Sequence, residues 1–427
     1  MRPNKRPLIF LLLATFALSA ILLAACSQQG GQTVEVTRVV TEQAPGTTTE
    51  VEVTRIVEVP AEPSQTVSVE VPFYDEWSAS PHNDTEGEPF NHWNEDDPAE
   101  VPTDCAKCHS TPGYLDHLGA DGSTPGVVDV PAPIGSTVEC VACHNEVTLD
   151  KTSVVFPSGI EIANLGDEAR CMECHQGRAS TVSVDQNIAD AGLTEKLDTV
   201  SEDMGFSGIH YYAAAATQYG TLAKGGYEYA GQAYDARFDH VAEYNTCIEC
   251  HDMHTLEIKL QECQACHTDV KTTEDLANIR MNGSLVDYDG DGDMEEGVYY
   301  EIEGLRDLLY GAMQTYSMET SGKMIAYDDH TYPYFFIDTD ADGALSEAEA
   351  VYPNQFNAWT ARLAKAAYNF QVSMKDTGRH AHGGKYIIQL LYDSIADLNT
   401  AIDTPVDMTA ANRIDHGHFA GSEEAFR

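Results

Sequence analysis

Beyond its first 25 residues the chain lacks any apolar run approaching the roughly 20 residues that a spanning helix needs, which predicts a body outside the bilayer. Positive charge is scarce, with 24 Lys and Arg against 69 Asp and Glu and a formal net charge of −45. A field of that sign repels nucleic acid and anionic lipid, and favours cationic partners or metal ions. Cysteine is missing from 27 to 104 and from 267 onward, so neither stretch can hold a disulfide or a thiolate metal site.

What is present begins with an export pattern. Arg2, Lys5 and Arg6 precede the apolar run Leu8 to Leu23, as a signal peptide over 1–25 requires. The run ends in Leu23-Ala24-Ala25-Cys26, which looks like a bacterial lipobox and predicts lipidation at Cys26. The expectation is an exported protein, anchored by lipid at the outer face of a bacterial membrane. Cleavage removes three basic groups and moves the formal charge to −48.

Residues 26–72 read as a low-complexity linker. Glu35-Val36-Thr37-Arg38-Val39-Val40 returns seventeen residues later as Glu52-Val53-Thr54-Arg55-Ile56-Val57. Alternation of this kind suits an extended stalk or a two-faced strand, expected here as a mobile spacer. Aromatics, histidines and turn residues set in near Phe73. Residues 73–270 hold ten of the cysteines, and 271–427 reads as helical. In that last region Ile302, Leu305, Leu308, Leu309, Ala312, Met313 and Tyr316 recur at helical spacing, as one buried helix face requires. Trp359 to Met374 and Lys385 to Leu398 predict two further helices.

The ten cysteines form five copies of one motif: Cys105-Ala-Lys-Cys108-His109, Cys140-Val-Ala-Cys143-His144, Cys171-Met-Glu-Cys174-His175, Cys247-Ile-Glu-Cys250-His251 and Cys263-Gln-Ala-Cys266-His267. Cys-x-x-Cys-His is the attachment signature of c-type haem. The two thiols form thioethers to the haem vinyl groups, and the next histidine lies beneath the iron. A zinc protein does not require His after every pair, and a disulfide protein does not keep every pair at this spacing. Five haems c are expected, with His109, His144, His175, His251 and His267 as proximal ligands.

The sixth coordination position decides what such an iron does. Sixteen histidines leave eleven beyond the proximal five, enough to close every site. His82, His210, His240, His254 and His382 are the distal candidates, with His92 and His418 in reserve. His254 is too close to His251 to reach across the same haem and must serve a neighbour. If His382 ligates, the cysteine-free tail folds back over the haem region. His117, His330, His380 and His416 are expected to face solvent.

Two acidic loops point to calcium. Asp338-Thr-Asp340-Ala-Asp342-Gly343-Ala344-Leu-Ser346-Glu-Ala-Glu349 fits the twelve-residue EF-hand loop, with carboxylates at one, three, five and twelve and the carbonyl of Ala344 at seven. Asp287-Tyr-Asp289-Gly-Asp291-Gly292-Asp293 begins the same way but has Val298 at position twelve, leaving Glu295 or Glu296 to complete it. One or two structural calcium ions are expected.

At this point the sequence resembles known multihaem cytochromes. Cys171-Met-Glu-Cys-His-Gln-Gly-Arg178, Arg237-Phe-Asp-His240 with Cys247 to Leu256, and the tail elements Ala367-Tyr-Asn-Phe, Lys375-Asp-Thr-Gly and His382-Gly-Gly-Lys-Tyr386 are similar to polyhaem membrane-associated cytochrome c lipoproteins. The resemblance implies electron transfer at the cell surface, between membrane carriers or other cytochromes and external acceptors. The fold it implies is a multihaem cytochrome c: mainly α-helix and irregular loop around a covalently bound haem core, with EF-hand-like calcium loops. Pentahaem nitrite reductases offer an alternative, a reductase or oxidase of a small nitrogen or sulfur compound at one open haem. There Arg178, His210 and Tyr211 would line the distal pocket. Those enzymes usually carry Cys-x-x-Cys-Lys at the catalytic haem, and this chain has none. An extracellular filament subunit is a third reading, disfavoured by the lipobox.

Overall fold

The structure, a computed structural model, describes residues 33–44, 47–58, 70–280, 284 and 286–413. The signal segment, Cys26, His416 and His418 lie outside the described residues. The chain divides into two units, 1–72 and 73–427.

In the first unit β1 (Thr33–Ala44) and β2 (Thr47–Glu58) pair antiparallel, with Val36 opposite Arg55 and Val39 opposite Glu52. The internal repeat thus pairs with itself, copy against copy. Alternating β-branched residues satisfy their backbone groups more readily in a ladder than alone.

The second unit begins with loops and short helices. α1 (Thr103–His109) and α2 (Thr111–Leu118) meet at Ser110, whose side chain caps α2 by accepting from the Gly113 N–H. α3 (Thr181–Asp190) and α4 (Ala214–Tyr219) follow. Between 236 and 269, the stretch with the fourth and fifth motifs, no residue is fully buried.

The C-terminal part is different. α5 (Val298–Ser321) buries Ile302, Leu305, Leu309, Ala312, Met313 and Tyr316, and closes on Gly322 at φ 71°. That positive φ is open to glycine at little cost. β3 (Met324–Tyr327) and β4 (Phe335–Asp338) form an antiparallel hairpin. α6 (Ala361–Lys375) is capped by Thr360, whose hydroxyl accepts from the Leu363 N–H at 3.0 Å. α7 (Arg379–Asn399) completes the layer. Tyr288, Tyr316, Tyr368 and Tyr386 are fully buried among these helices. From Tyr288 to Ile402 the core is an ordinary apolar one. One buried cluster runs from Val154 through Tyr227 into α5, α6 and α7. Among the described residues no helix is long and apolar enough to cross a membrane.

Gly383 interrupts the helical geometry of α7 one residue after His382. A side-chain carbon there would collide with the Thr217 carbonyl of α4. The close approach of the two helices carries His382 from the tail to the haem-motif region.

Candidate haem sites and calcium loops

Each Cys-x-x-Cys-His segment closes a helical turn. The His144, His175, His251 and His267 N–H groups donate to the carbonyls of Cys140, Cys171, Cys247 and Cys263 at 2.9, 3.1, 2.8 and 2.9 Å. Cys105 to His109 lie within α1. Residues three apart on a helical turn share a face, so both thiols of a motif address the same edge of a ligand while the histidine turns under it.

The other histidines converge on these five rings. Centre to centre, His109 stands 5.8 Å from His210, His144 6.3 Å from His254, His175 6.4 Å from His82, His251 6.4 Å from His382 and His267 6.0 Å from His240. Two imidazoles on opposite sides of one metal, each bonded at about 2 Å with about 1 Å more to the ring centre, stand about 6 Å apart. The residues present therefore fit five bis-histidine haems. The ring planes are nearly parallel for His144 and His254, at 7°, and steeply crossed for His109 and His210, at 76°.

Four rings are oriented from behind. The Nδ1–H groups of His109, His175 and His251 donate to the carbonyls of Pro89, Tyr212 and Leu256 at 2.9, 3.1 and 3.2 Å. His382 Nδ1 donates to the Asp376 carboxylate at 2.9 Å. A proton held on Nδ1 leaves Nε2 free to ligate. Burial, with Arg178 and His109 nearby, pushes His210 down to about 4, and burial with His175 does the same to His82. Both are neutral near pH 7, the form that binds metal. For His382 burial pulls downward, but the buried Asp376 outweighs it and the net shift is upward.

The remaining histidines separate in kind. His92 bonds Glu88 at 2.6 Å and lies edge-on to Trp93, which in turn lies edge-on to His109. His330 is exposed, as expected. His117 and His380 are not. His117 is half-buried with Nε2 3.1 Å from Glu173, and His380 lies against the Tyr299 ring with both nitrogens buried. Their partners are remote in sequence, so nothing local signals the burial. Tyr211 lies under the Lys375 ammonium, 3.5 Å from its ring centre, and its hydroxyl donates to the Asp329 carbonyl at 2.5 Å.

The two acidic loops share one hydrogen-bond pattern. Asp287 accepts from the Gly290 and Gly292 N–H groups, Asp289 from Asp291 and Asp291 from Asp293. Asp338 accepts from Ala341 and Gly343, Asp340 from Asp342 and Asp342 from Ala344. Asp338, Asp340 and Asp342 hold oxygens within 4.8 Å of one another. Glu349 does not join that group: its carboxylate takes Thr339 and Ser346.

In the first loop Asp289, Asp291 and Glu296 cluster, and so do Asp287, Asp289 and Glu301. Glu301 is the residue that sequence spacing missed, since it lies beyond the loop in the first turn of α5. It is fully buried, accepts from the Tyr288 and Asp289 N–H groups at 2.7 and 3.1 Å, and pairs with Arg280. Gly304, one helical turn on, leaves Asp289 room that any side chain would fill. Burial and then the surrounding carboxylates push both Asp289 and Glu296 up to about 7.

Known proteins bear on these sites through two relatives from Geobacter sulfurreducens. The chain is 24% identical over 392 residues to the C-type polyheme cytochrome OmcB, covering 77% of this chain and 49% of the relative. It is 24% identical over 384 residues to the C-type polyheme cytochrome OmcC, covering 74% and 46%. The chain is a multihaem c-type cytochrome. This cytochrome spans about half the length of the curated relatives it matches. No family model matches it, and no solved structure does. Such a cytochrome implies haem c.

Proposed function

We propose that this cytochrome carries five haems c, each closed by two histidines, and passes electrons between membrane carriers and acceptors outside the membrane. What carries the reading is that each proximal ring faces one other histidine ring at 5.8 to 6.4 Å. Bound haem supplies a one-electron couple; the chain sets its potential through axial ligands and the groups behind them. Catalysis at an open haem asks for a proximal ring without a partner, and among the described residues each has one. Export, and a lipid on Cys26 that tethers the protein to a bacterial membrane, complete the proposal.

Calcium belongs to the same reading. Asp338, Asp340 and Asp342, with the Ala344 carbonyl and Glu349, would hold one ion. Asp287, Asp289, Asp291, Asp293 and Glu296 would hold a second, backed by Glu301. The ions would neutralise part of a very acidic surface and fix loops on either side of α5.

The test is stoichiometry. Intact-mass and pyridine haemochrome measurements on protein matured in a cytochrome c-competent host should give five haems per chain. Four or fewer, with a motif found as free thiols, would remove the pentahaem reading.

A further inference from the structure

Along the chain the second motif stands between the first and the third. In space the third motif meets the first and the fourth. The Cys174 sulfur lies 3.9 Å from the carbonyl of Lys107, between the first motif's cysteines, and the Cys247 N–H donates at 3.3 Å to Glu168, three residues before Cys171. A thioether sulfur sits two bonds from the porphyrin ring, so motifs in contact bring two porphyrin edges near each other. The third motif thus meets the first through Cys174 and the fourth through Glu168, in the turn that leads into Cys171. The fifth motif meets the fourth through Lys259, whose N–H donates to the Cys250 carbonyl at 2.8 Å and whose carbonyl lies 3.8 Å from the Cys263 sulfur, and Ala142 of the second belongs with Tyr114 and Leu118 to the small cluster on which Cys174 packs.

A clamp holds the first contact. Glu173 lies between the third motif's cysteines and is 3% exposed. Its carboxylate takes Lys107 from between the first motif's cysteines at 2.9 Å, Lys151 at 2.8 Å and His117 at 3.1 Å. Side chains from three separate segments converge on one buried carboxylate.

We propose that the third motif, Cys171 to His175, is the junction of the electron path, in direct contact with the first and fourth motifs, and that Glu173 is the positioning residue that fixes the first contact. The path then runs one, three, four instead of following chain order. Each hop moves one electron, oxidising one iron as it reduces the next, with no bond made or broken. The inference rests on the haem reading above.

A structure of the holoprotein, with haem content measured on the same sample, tests it. The shortest porphyrin edge separations should join the Cys105–Cys108 haem to the Cys171–Cys174 haem, and the latter to the Cys247–Cys250 haem. If the Cys140–Cys143 haem instead separates the first from the third, the junction is wrong. A haem count below five would count against the pentahaem reading and leave the junction to be judged on the haems present. Glu173→Gln adds a second readout. Loss of a buried negative charge disfavours the ferric state, so the first and third haems should rise in potential while the fourth and fifth hold. A uniform shift, or none, in protein of unchanged haem content would overturn the positioning role.

Discussion

Asp376 receives the Nδ1 proton of His382 on both carboxylate oxygens, at 2.9 and 3.0 Å, and is itself buried. Of the described histidines that face a proximal ring, this is the one backed by a carboxylate; the backed proximal rings use carbonyls. A carboxylate behind an imidazole makes it a stronger donor and favours ferric iron. Asp376→Asn should therefore raise the potential of the haem at Cys247–His251 and leave the others close to their original values. A change of about 1 kcal/mol between oxidation states moves a one-electron potential by about 40 mV. Spectroelectrochemical titration checks it; an unchanged titration would show that His382 does not ligate.

The crossing of imidazole planes has a spectroscopic signature. Parallel planes split the iron d orbitals and give rhombic low-spin EPR signals, whereas crossed planes leave them nearly degenerate and strongly anisotropic. The His109–His210 pair, crossed at 76°, should give the most anisotropic low-spin signal, and the His144–His254 pair, at 7°, a rhombic one. His210→Met should remove the first signal and leave the second. Loss of the rhombic signal instead would mean that the pairing is wrong.

Calcium binding separates the two loops. Calorimetry on chelator-treated protein should resolve two sites, with Asp338→Asn abolishing one and Asp289→Asn the other. Glu301→Gln leaves the loop carboxylates in place but removes their buried support, and should weaken the first site by about 10- to 100-fold. Equal loss at both sites would show a general folding defect.

Lys375 supplies a pH dependence with a definite sign. Its ammonium lies 3.5 Å from the Tyr211 ring centre and 4.1 Å from that of Tyr334, and it donates to the Asp329 carbonyl at 3.0 Å. Burial pushes its pKa down to about 8, against partial opposition from Asp329 and Asp328. Between pH 8 and the ordinary lysine value the unfolded chain binds more protons than the folded one, so this group makes stability rise with pH across that window. The Tm difference between wild type and Lys375→Met should change from pH 8 to 10, with the wild type gaining. A constant difference would place the group in water.

How much of this could be read from sequence depends on whether a feature is local. Covalent chemistry dictates the spacing of Cys105 to His109 and its four counterparts, and the 3.6-residue period marks the buried face of α5. The pairing of His82 with His175, across 93 positions, is set by tertiary packing and has no local signal. Glu173 looks like a solvated residue inside its motif until Lys107, Lys151 and His117 arrive from distant segments. Glu301 lies outside the loop it supports, so a loop template cannot find it. His117 and His380 were expected in solvent for the same reason, their covering groups being far away in the chain.

The central claim is that every iron is closed by two histidines. Low-temperature EPR and optical spectra of the reduced holoprotein, before and after carbon monoxide, address it directly. All haems low-spin, with no spectral change on adding carbon monoxide, is the predicted result. A high-spin haem that binds carbon monoxide would contradict it and return catalysis at an open site to the front.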